Sequence, residues 1–447
     1  MTATRAPEVP LPAGLLSVEG AREAILGSIA SPLPVARLDA ATALGRVLAE
    51  PVLAVTDLPP WDNSAMDGYA VLAADTARAT EDAPGSLRVV GEGAAGEAPR
   101  ADVRPGSAVR IATGAPIPRG ADAVVPVELT TPLDDSGSPA GPRGRDATGP
   151  LPAGCLVHAR VAPGSSIRPR GDDLRAGDAI LPAGTRLGPA GVAVAAGSGV
   201  ATVGVHRRPR VAVLATGDEV RAPGEPLGPA GIPDANGPGL RALVSDAGAD
   251  PVDLGIAPDD LPDVTSRLRA ALADADAVIV SGGVSVGPYD VVRAAFAAIG
   301  RVDLWRGAVQ PGKPFAFGVA PRPPAAGRGP DVLLFGLPGN PVSAFVTFEL
   351  FVRPAIRRLG GHRELFRPVD RGVIGEGVAK GHGRRAYLRV VAVRDGDGSP
   401  VRDERGRVRV RLAGGQGSHV LSAMAAAEAL AVVPEGADAA APDDEVE

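Results

Sequence analysis

The alternation of short apolar runs with helix-like segments across residues 209–358 is the feature that most constrains the fold. The apolar runs cover residues 210–216, 252–257, 277–280 and 331–336. Between them the apolar residues recur at helical spacing, as they do at Leu261, Val264, Leu268 and Leu272. Strands separated by helices of this length predict a mostly parallel sheet with helices on both faces.

Three of the predicted strands end in loops rich in glycine or acidic residues, namely TGDE (216–219), SGGVSVGPYD (281–290) and GLPGNPVS (336–343). The carboxyl ends of parallel strands lie at one edge of an open α/β sheet, and ligands bind in the crevice beyond that edge. One glycine-rich turn is weak evidence for a site. Three at equivalent strand ends predict a ligand-binding crevice.

The loop GLPGNPVS also predicts the start of a helix over residues 341–358. Asn340 suits the N-cap and Pro341 the first turn, so that free backbone N–H groups would face an anion. A capped helix without a ligand explains these two residues equally well. It does not explain Gly336 and Gly339, which indicate close approach of the backbone to another group.

Asp290 has two interpretations. It precedes a predicted helix that contains Val291, Ala295, Phe296 and Ile299, so its side chain could cap that helix. Together with Asp218 and Glu219 it could instead help to hold a hydrated Mg²⁺, which prefers carboxylates and phosphate oxygens. The residues alone leave both interpretations open.

Lys313 lies between two prolines in PGKP (311–314) and is one of only two lysines in the chain, the other being Lys380. A solvated lysine is the ordinary interpretation of such a residue. Its place in a constrained loop favours contact with a phosphate or another oxyanion.

The remainder of the chain predicts smaller elements. Ser17 suits the N-cap of a helix with apolar positions at Ala21, Ile25 and Ile29, and a second helix is predicted over Leu38, Leu44 and Leu48, ending at Pro51. Residues 52–150 and 151–208 are typical of short strands joined by Gly/Pro turns. After Gly361 the apolar runs predict a small all-β domain.

Charge and composition exclude several classes of protein. The net charge of -6 and the lack of a basic stripe argue against nucleic-acid binding. The single Cys155 excludes a disulfide framework, and the five histidines have no ligand spacing. No run of about 18 apolar residues and no secretory signal is present, so we expect a soluble, cytoplasmic protein that does not enter membranes.

Six motifs together resemble the molybdopterin molybdenumtransferase family, which includes MoeA and the E-domain of gephyrin. In the family's order they are DNSAMDGYA (62–70), RIATGAP (110–116), ATGDE (215–219), SGGVSVGPYD (281–290), PGKPFAFG (311–318) and GLPGNPVSA (336–344). The resemblance extends over about residues 15–435.

This resemblance implies a multidomain fold of α/β and β parts. A discontinuous domain would combine residues 15–51 with 151–208, and a β-rich domain (52–150) would be inserted into it. A central α/β molybdopterin-binding domain (209–358) and a C-terminal β-barrel (362–440) would follow. The resemblance also implies a homodimer, with a molybdopterin adenylyltransferase and molybdoenzyme apoproteins as partners.

The implied reaction inserts molybdenum from molybdate into adenylylated molybdopterin, with Mg²⁺ as cofactor and AMP as the leaving group. Asp290 and Glu219 would be metal ligands and would act in anhydride cleavage, with Asp259 or Asp260 nearby. Asp67, Thr113 and Asp173 would be catalytic residues across a dimer cleft. The implied substrate-binding residues are Gly217, Asp218, Ser281, Gly282, Gly283, Ser285, Asp259, Pro338, Gly339, Asn340 and Pro341, with Lys313, Ser343, Arg384 and Ser418 on the molybdate side.

The chain departs from some relatives at Arg306 and Gln310, where those relatives carry lysines. Arg306 keeps the positive charge and Gln310 does not, and an arginine does not replace a lysine without consequence. Two other functions remain open at this point. A molybdopterin adenylyltransferase would share the α/β domain but generally lacks the flanking β domains, and a non-catalytic scaffold would need linkers or interaction domains that are not seen here.

Overall fold

The computed structural model of the chain describes residues 15–144, 149–283, 291–326 and 329–447. The helices are α1 Val18–Gly27, α2 Pro189–Gly197, α3 Asn236–Asp246, α4 Leu261–Ala271, α5 Val291–Ile299, α6 Pro341–Thr347, α7 Arg353–Leu359 and α8 Leu421–Ala426. The strands before residue 209 are β1 Val35–Asp39, β2 Val52–Leu53, β3 Asn63–Ser64, β4 Gly68–Val71, β5 Gly85–Gly93, β6 Ser107–Ile111, β7 Ala123–Pro126, β8 Thr130–Leu133, β9 Gly154–Val157, β10 Ile167–Arg168, β11 Ala179–Leu181 and β12 Thr202–His206.

The strands after residue 209 belong to a central and a C-terminal part. The central ones are β13 Arg210–Thr216, β14 Val220–Arg221, β15 Ile232–Pro233, β16 Asp250–Ala257, β17 Ala277–Ser281, β18 Arg301–Arg306, β19 Val309–Gln310, β20 Pro314–Ala320 and β21 Val332–Leu337. The C-terminal ones are β22 Gly372–Ile374, β23 Val378–Ala379, β24 Arg385–Ala392, β25 Val408–Leu412, β26 Ala429–Val433, β27 Ala439–Ala440 and β28 Glu445–Val446.

The first helix forms as predicted, and the second does not. The Ser17 side chain accepts a hydrogen bond from the Gly20 N–H at 3.0 Å, which confirms it as the N-cap of α1. The helix predicted over Leu38, Leu44 and Leu48 is wrong, because β1 pairs antiparallel with β12. Pairing with a strand some 165 positions away overrides the local spacing of the leucines.

The region before residue 209 differs from the prediction at one further point. Residues 189–197 form helix α2, with Pro189 in its first turn, where only short strands were predicted. Strands β1 and β2 pair with β12 and β11 respectively, so residues 35–53 join residues 179–206. Six of the strands between them form a sheet in the order β7-β4-β6-β5-β9-β8, and β3 pairs separately with β10.

The central sheet has the order β16-β13-β17-β21-β20-β18. The three pairings among β16, β13, β17 and β21 are parallel, and β20 is antiparallel to both of its neighbours. Successive residues of a strand point to opposite faces of the sheet. Accordingly, Val213 and Ile279 pack with α1, α3, α6 and α7, whereas Leu214 and Val280 pack with α4 and α5.

The helix predicted over 341–358 is helical throughout but is not uniform. It consists of α6, a wider π-helical turn at Phe348–Val352, and α7. Such turns inside α-helices are often found near functional sites.

The C-terminal strands form a sheet with β19 of the central part at its edge, in the order β19-β24-β25-β22-β28, with β26 also paired to β24. Strands form in this region as predicted, but the region is not all-β, because Leu421–Ala426 form helix α8. The closed barrel and the domain boundaries stay predictions. Within the described part of the chain, no helix has the length and apolar character needed to cross a membrane.

Candidate functional site

The carboxyl ends of the parallel strands lie side by side at one edge of the central sheet. Ala215 of β13 pairs with Ser281 of β17, which pairs with Leu337 of β21. On the other side of β13, Thr216 pairs with Ala257. The loops that follow these four strands therefore begin at the same level of the sheet, at the edge beyond which open α/β sheets bind ligands, and the region beyond this edge is called the crevice below.

Asn236, at the start of α3, connects two of these loops. Its side-chain amide donates one hydrogen bond to Ser281 Oγ and another to the Gly339 carbonyl, each at 2.7 Å. Asn236 is only 9% exposed, and its Oδ1 is buried and has no hydrogen-bond partner among the residues that the structure describes. Because buried polar atoms are nearly always paired, this oxygen is a candidate acceptor for a ligand N–H or O–H group.

Asn236 was not among the residues predicted from the sequence. The available signal was the polar start of a helix directly after a short strand, since the Asp234 carboxylate accepts a hydrogen bond from the Gly237 N–H at 2.9 Å. That pattern indicates capping, not contact with residues 45 and 103 positions further along the chain.

The glycines of the β17 loop allow the backbones to approach closely. Gly282 has a φ of +100°, and a Cβ there would lie 2.5 Å from the Thr216 carbonyl oxygen. Gly283 has a φ of +61°. A Cβ at Gly339 would lie 3.7 Å from the Gly282 Cα, so the two loops are in contact. Only glycine fits the backbone at Gly282.

Acidic residues follow the neighbouring strands β13 and β16. Gly217 N–H donates to the Ala257 carbonyl at 3.2 Å, and the Asp218 carboxylate accepts a hydrogen bond from the Asp259 N–H at 3.2 Å. Partial burial, and then the negative charges of Asp218 and Glu219, raise the pKa of Asp259. The repulsion shows that these three carboxylates share one region.

A complete metal site is not formed by these residues alone. Across the described ranges, no group of three or more His, Cys, Asp or Glu side chains is arranged to hold a metal ion. The predicted metal ligand Asp290 and the predicted binding residue Ser285 lie outside the described residues. The two interpretations of Asp290 therefore stay open.

Asn340 has a different role from the one predicted. It is the N-cap residue of α6, with Pro341 in the first turn, but its side chain makes no capping bond. Instead the Asn340 amide donates to Ser418 Oγ at 3.1 Å. Pro338 contributes its carbonyl as an acceptor for Ser281 Oγ at 3.5 Å. Asn340 thus connects the crevice to the C-terminal part of the chain.

Three of the four residues predicted on the molybdate side, Lys313, Ser343 and Ser418, lie in or beside α6. Lys313 is exposed and follows Gly312, where a Cβ would lie 2.6 Å from Thr347 Cγ2 and 3.7 Å from the carbonyl oxygen of the buried Ser343. Ser418 contacts Asn340, the residue that precedes α6. Arg384 lies in a separate loop, in which its guanidinium covers Gly381.

Asp67 and Thr113 form a second group, at the ends of the paired strands β4 and β6. The Asp67 carboxylate accepts hydrogen bonds from the Thr113 N–H at 2.7 Å and the Thr113 hydroxyl at 2.8 Å. These bonds, the backbone one first, lower the pKa of Asp67. Asp173 is exposed in another loop, and among the described residues no hydrogen bond or ion pair joins these three side chains to the central crevice.

Family models match nearly the whole chain. Residues 16–199 match the MoeA N-terminal region (domains I and II), and residues 212–358 match a model described as a probable molybdopterin binding domain. Residues 371–447 match the MoeA C-terminal region (domain IV).

Curated relatives and a solved structure agree with these matches. A molybdopterin molybdenumtransferase of Haemophilus influenzae is 34% identical over 92% of each chain, and one of a Nostoc species is 37% identical over 74% of this chain and 71% of its own length. The crystal structure of a molybdopterin biosynthesis MoeA protein of Pyrococcus horikoshii matches with a TM-score of 0.75 and 28% identity, covering 97% of this chain and 98% of the other.

Proposed function

The chain belongs to the MoeA family of molybdopterin molybdenumtransferases, and from this membership and the site we propose that it inserts molybdenum into adenylylated molybdopterin. AMP is the leaving product of this reaction. The observation that carries the proposal is the crevice formed by the in-register strand ends of β13, β17 and β21, with Asn236 joining two of the loops.

The crevice suits a phosphate-bearing pterin. The glycines at 282, 283 and 339 leave room for close approach to a phosphate or ring, and Asn236 Oδ1 offers an acceptor for a pterin N–H group. Lys313 and Arg384 supply positive charge for the oxyanion, while Ser343 and Ser418 supply hydroxyls at the start of α6. Positive charge and fixed donors of this kind stabilise charge that develops on an oxyanion.

The acidic side of the crevice is where a Mg²⁺ ion would bind. Burial, and then the negative charges of Asp218 and Glu219, raise the pKa of Asp259, and a divalent cation would relieve the repulsion among these carboxylates. Asp218, Glu219 and Asp290 are the residues that would hold it, with substrate phosphates completing the set. When bound, the ion would neutralise charge on the phosphoanhydride.

We also propose that the active form is a homodimer in the cytoplasm. Asp67, Thr113 and Asp173 have no described contact with the crevice of their own chain, and a second subunit would allow them to face it. A C-terminal barrel would complete the family architecture. The match of residues 371–447 to the MoeA C-terminal region favours molybdenum insertion over adenylylation, which needs only the α/β domain.

The test is to incubate the purified protein with adenylylated molybdopterin, Mg²⁺ and molybdate, and to measure AMP release. We expect release to depend on molybdate and to fall strongly in Asp290→Asn, whose circular dichroism and molybdopterin binding stay unchanged. AMP release by the wild type that does not respond to molybdate would refute the proposed function. Because asparagine caps helices as well as aspartate does, unchanged AMP release in a folded Asp290→Asn variant would instead support the capping interpretation of Asp290.

A further inference from the structure

Gln310 lies in a short strand that connects two strands of the central sheet but pairs with the C-terminal sheet. Its strand β19 falls between β18 and β20 in the sequence but pairs in parallel with β24, through Val309↔Arg385 and Gln310↔Ala386. The Arg385 N–H also donates to the Ala308 carbonyl at 2.8 Å. The backbone at Gln310 is therefore fixed against the strand that follows Arg384.

The side chain of Gln310 holds the loop that carries Arg384. Its Oε1 accepts a hydrogen bond from the Gly381 N–H at 2.8 Å. Gly381 in turn supports the arginine, because the Arg384 guanidinium occupies the space that a Cβ at Gly381 would fill. Gln310 therefore contacts Gly381, and Gly381 packs against the Arg384 guanidinium.

Lys380 makes hydrogen bonds to main-chain carbonyls of the same loop. Its ammonium group donates to the Arg384 carbonyl at 2.6 Å and lies 3.4 Å from the carbonyls of Gly381 and Glu435. Desolvation by burial lowers the pKa of Lys380. The ammonium is bound by main-chain carbonyls, so Lys380 stabilises the loop and does not point at a ligand. The positive charge that this loop offers to an oxyanion is therefore that of Arg384.

We propose that Gln310 is a positioning residue that acts through Arg384 to set the affinity for molybdate, an inference that rests on the proposed function. The bond to Gly381 needs an acceptor, which an amide has and an ammonium group lacks. A lysine at position 310 would add a positive charge but would release the loop. Gln310 therefore contributes to oxyanion binding by placing the charge of Arg384 and not by a charge of its own.

Four variants test this inference. Gln310→Met keeps the length of the side chain without the acceptor, Gln310→Glu keeps the acceptor, Gln310→Lys adds charge without an acceptor, and Arg384→Ala removes the proposed cation. Hydrogen–deuterium exchange of a peptide that covers residues 380–384 reports the loop directly. We expect faster exchange in the Met and Lys variants and exchange as slow as in the wild type for Gln310→Glu.

The kinetic arm measures AMP release at varied molybdate. Gln310→Met should raise the KM for molybdate about five-fold, the effect of losing one net hydrogen bond, and should leave kcat within about two-fold. In the Arg384→Ala background the same change should have no further effect, because a residue that acts through another is not additive with it.

Additive effects in the double variant, unchanged exchange in Gln310→Met, or a KM below the wild-type value in Gln310→Lys would each overturn the inference. A wild-type protein that does not respond to molybdate at all would refute the proposed function, and with it the role of Gln310 in molybdate binding. The exchange measurement would then still decide whether Gln310 holds the loop.

Discussion

Replacing Asn236 with aspartate changes one group of the side chain and tests whether Asn236 holds the crevice together. The amide that donates to Ser281 Oγ and the Gly339 carbonyl, both at 2.7 Å, becomes an oxygen that cannot donate when ionised. Each hydrogen bond contributes about 1 kcal/mol net, so the two together stabilise the contact between the loops by about 2 kcal/mol. The carboxylate would in addition face a carbonyl oxygen at a position that is only 9% exposed.

The Gly282 amide is a suitable reporter of this contact. Its N–H donates to the Leu337 carbonyl at 3.2 Å, and it exchanges with solvent only when the ends of β17 and β21 separate. A loss of about 2 kcal/mol corresponds to roughly 30-fold faster exchange of this amide. We expect that acceleration in Asn236→Asp, together with weaker binding of molybdopterin. Lowering the pH should reduce the acceleration, because the protonated carboxyl recovers one donor.

Asn63→Asp is the matched control, since Asn63 is also buried, at 5% exposure, and donates to the Trp61 carbonyl at 3.2 Å in another part of the chain. It should leave the exchange of Gly282 unchanged. A change of less than about three-fold in Asn236→Asp, or an equal change in the control, would refute the reasoning that Asn236 joins these loops.

Two further predictions concern the backbone of the crevice and the stability of the protein in acid. Gly282→Ala should lower the melting temperature and abolish molybdopterin binding, because its φ is +100° and the new Cβ would lie 2.5 Å from a carbonyl oxygen. Gly96→Ala, with a φ of +83° but open space around it, should have only a small effect on the melting temperature and none on binding, so equal effects would contradict the close-approach argument. Burial, and then the positive charge of Arg357 and other cations, lowers the pKa of His362 from 6.5 to about 4. Since the unfolded chain takes up this proton first, the neutral imidazole favours the folded state above pH 6.5, and that contribution is lost as the pH falls towards 4. Thermal melts of His362→Gln should therefore depend less on pH between 6.5 and 4 than those of the wild type, and identical pH dependence would contradict this assignment.

Much of the crevice could be predicted from the sequence because its elements are local. Apolar runs and helical spacing identify β13, β16, β17 and β21, and parallel strands place their carboxyl ends at one edge whatever the remaining sequence. A glycine also indicates where two backbone segments approach each other closely, as Gly282 does beside the Thr216 carbonyl. Ser17 and Pro341 mark helix starts for equally local reasons, namely capping and a fixed φ.

Other features depended on contacts between residues that are distant in the sequence. The strand β1 forms because residues 202–206 lie beside it, although a helix was predicted over Leu38, Leu44 and Leu48. Asn340 is of a residue type that commonly caps helices and stands at the N-cap position of α6. Its amide nevertheless contacts Ser418, because the C-terminal part packs against the start of α6.

The sequence by itself determined the family, the strands and helices of the central sheet, and the edge of that sheet at which a ligand is expected. The tertiary structure alone decided that Asn236 joins two strand-end loops and that Gln310 holds the loop of Arg384. The physical reason is that periodicity and capping report the backbone within a few residues, whereas the partner of a polar side chain depends on which distant segments pack beside it.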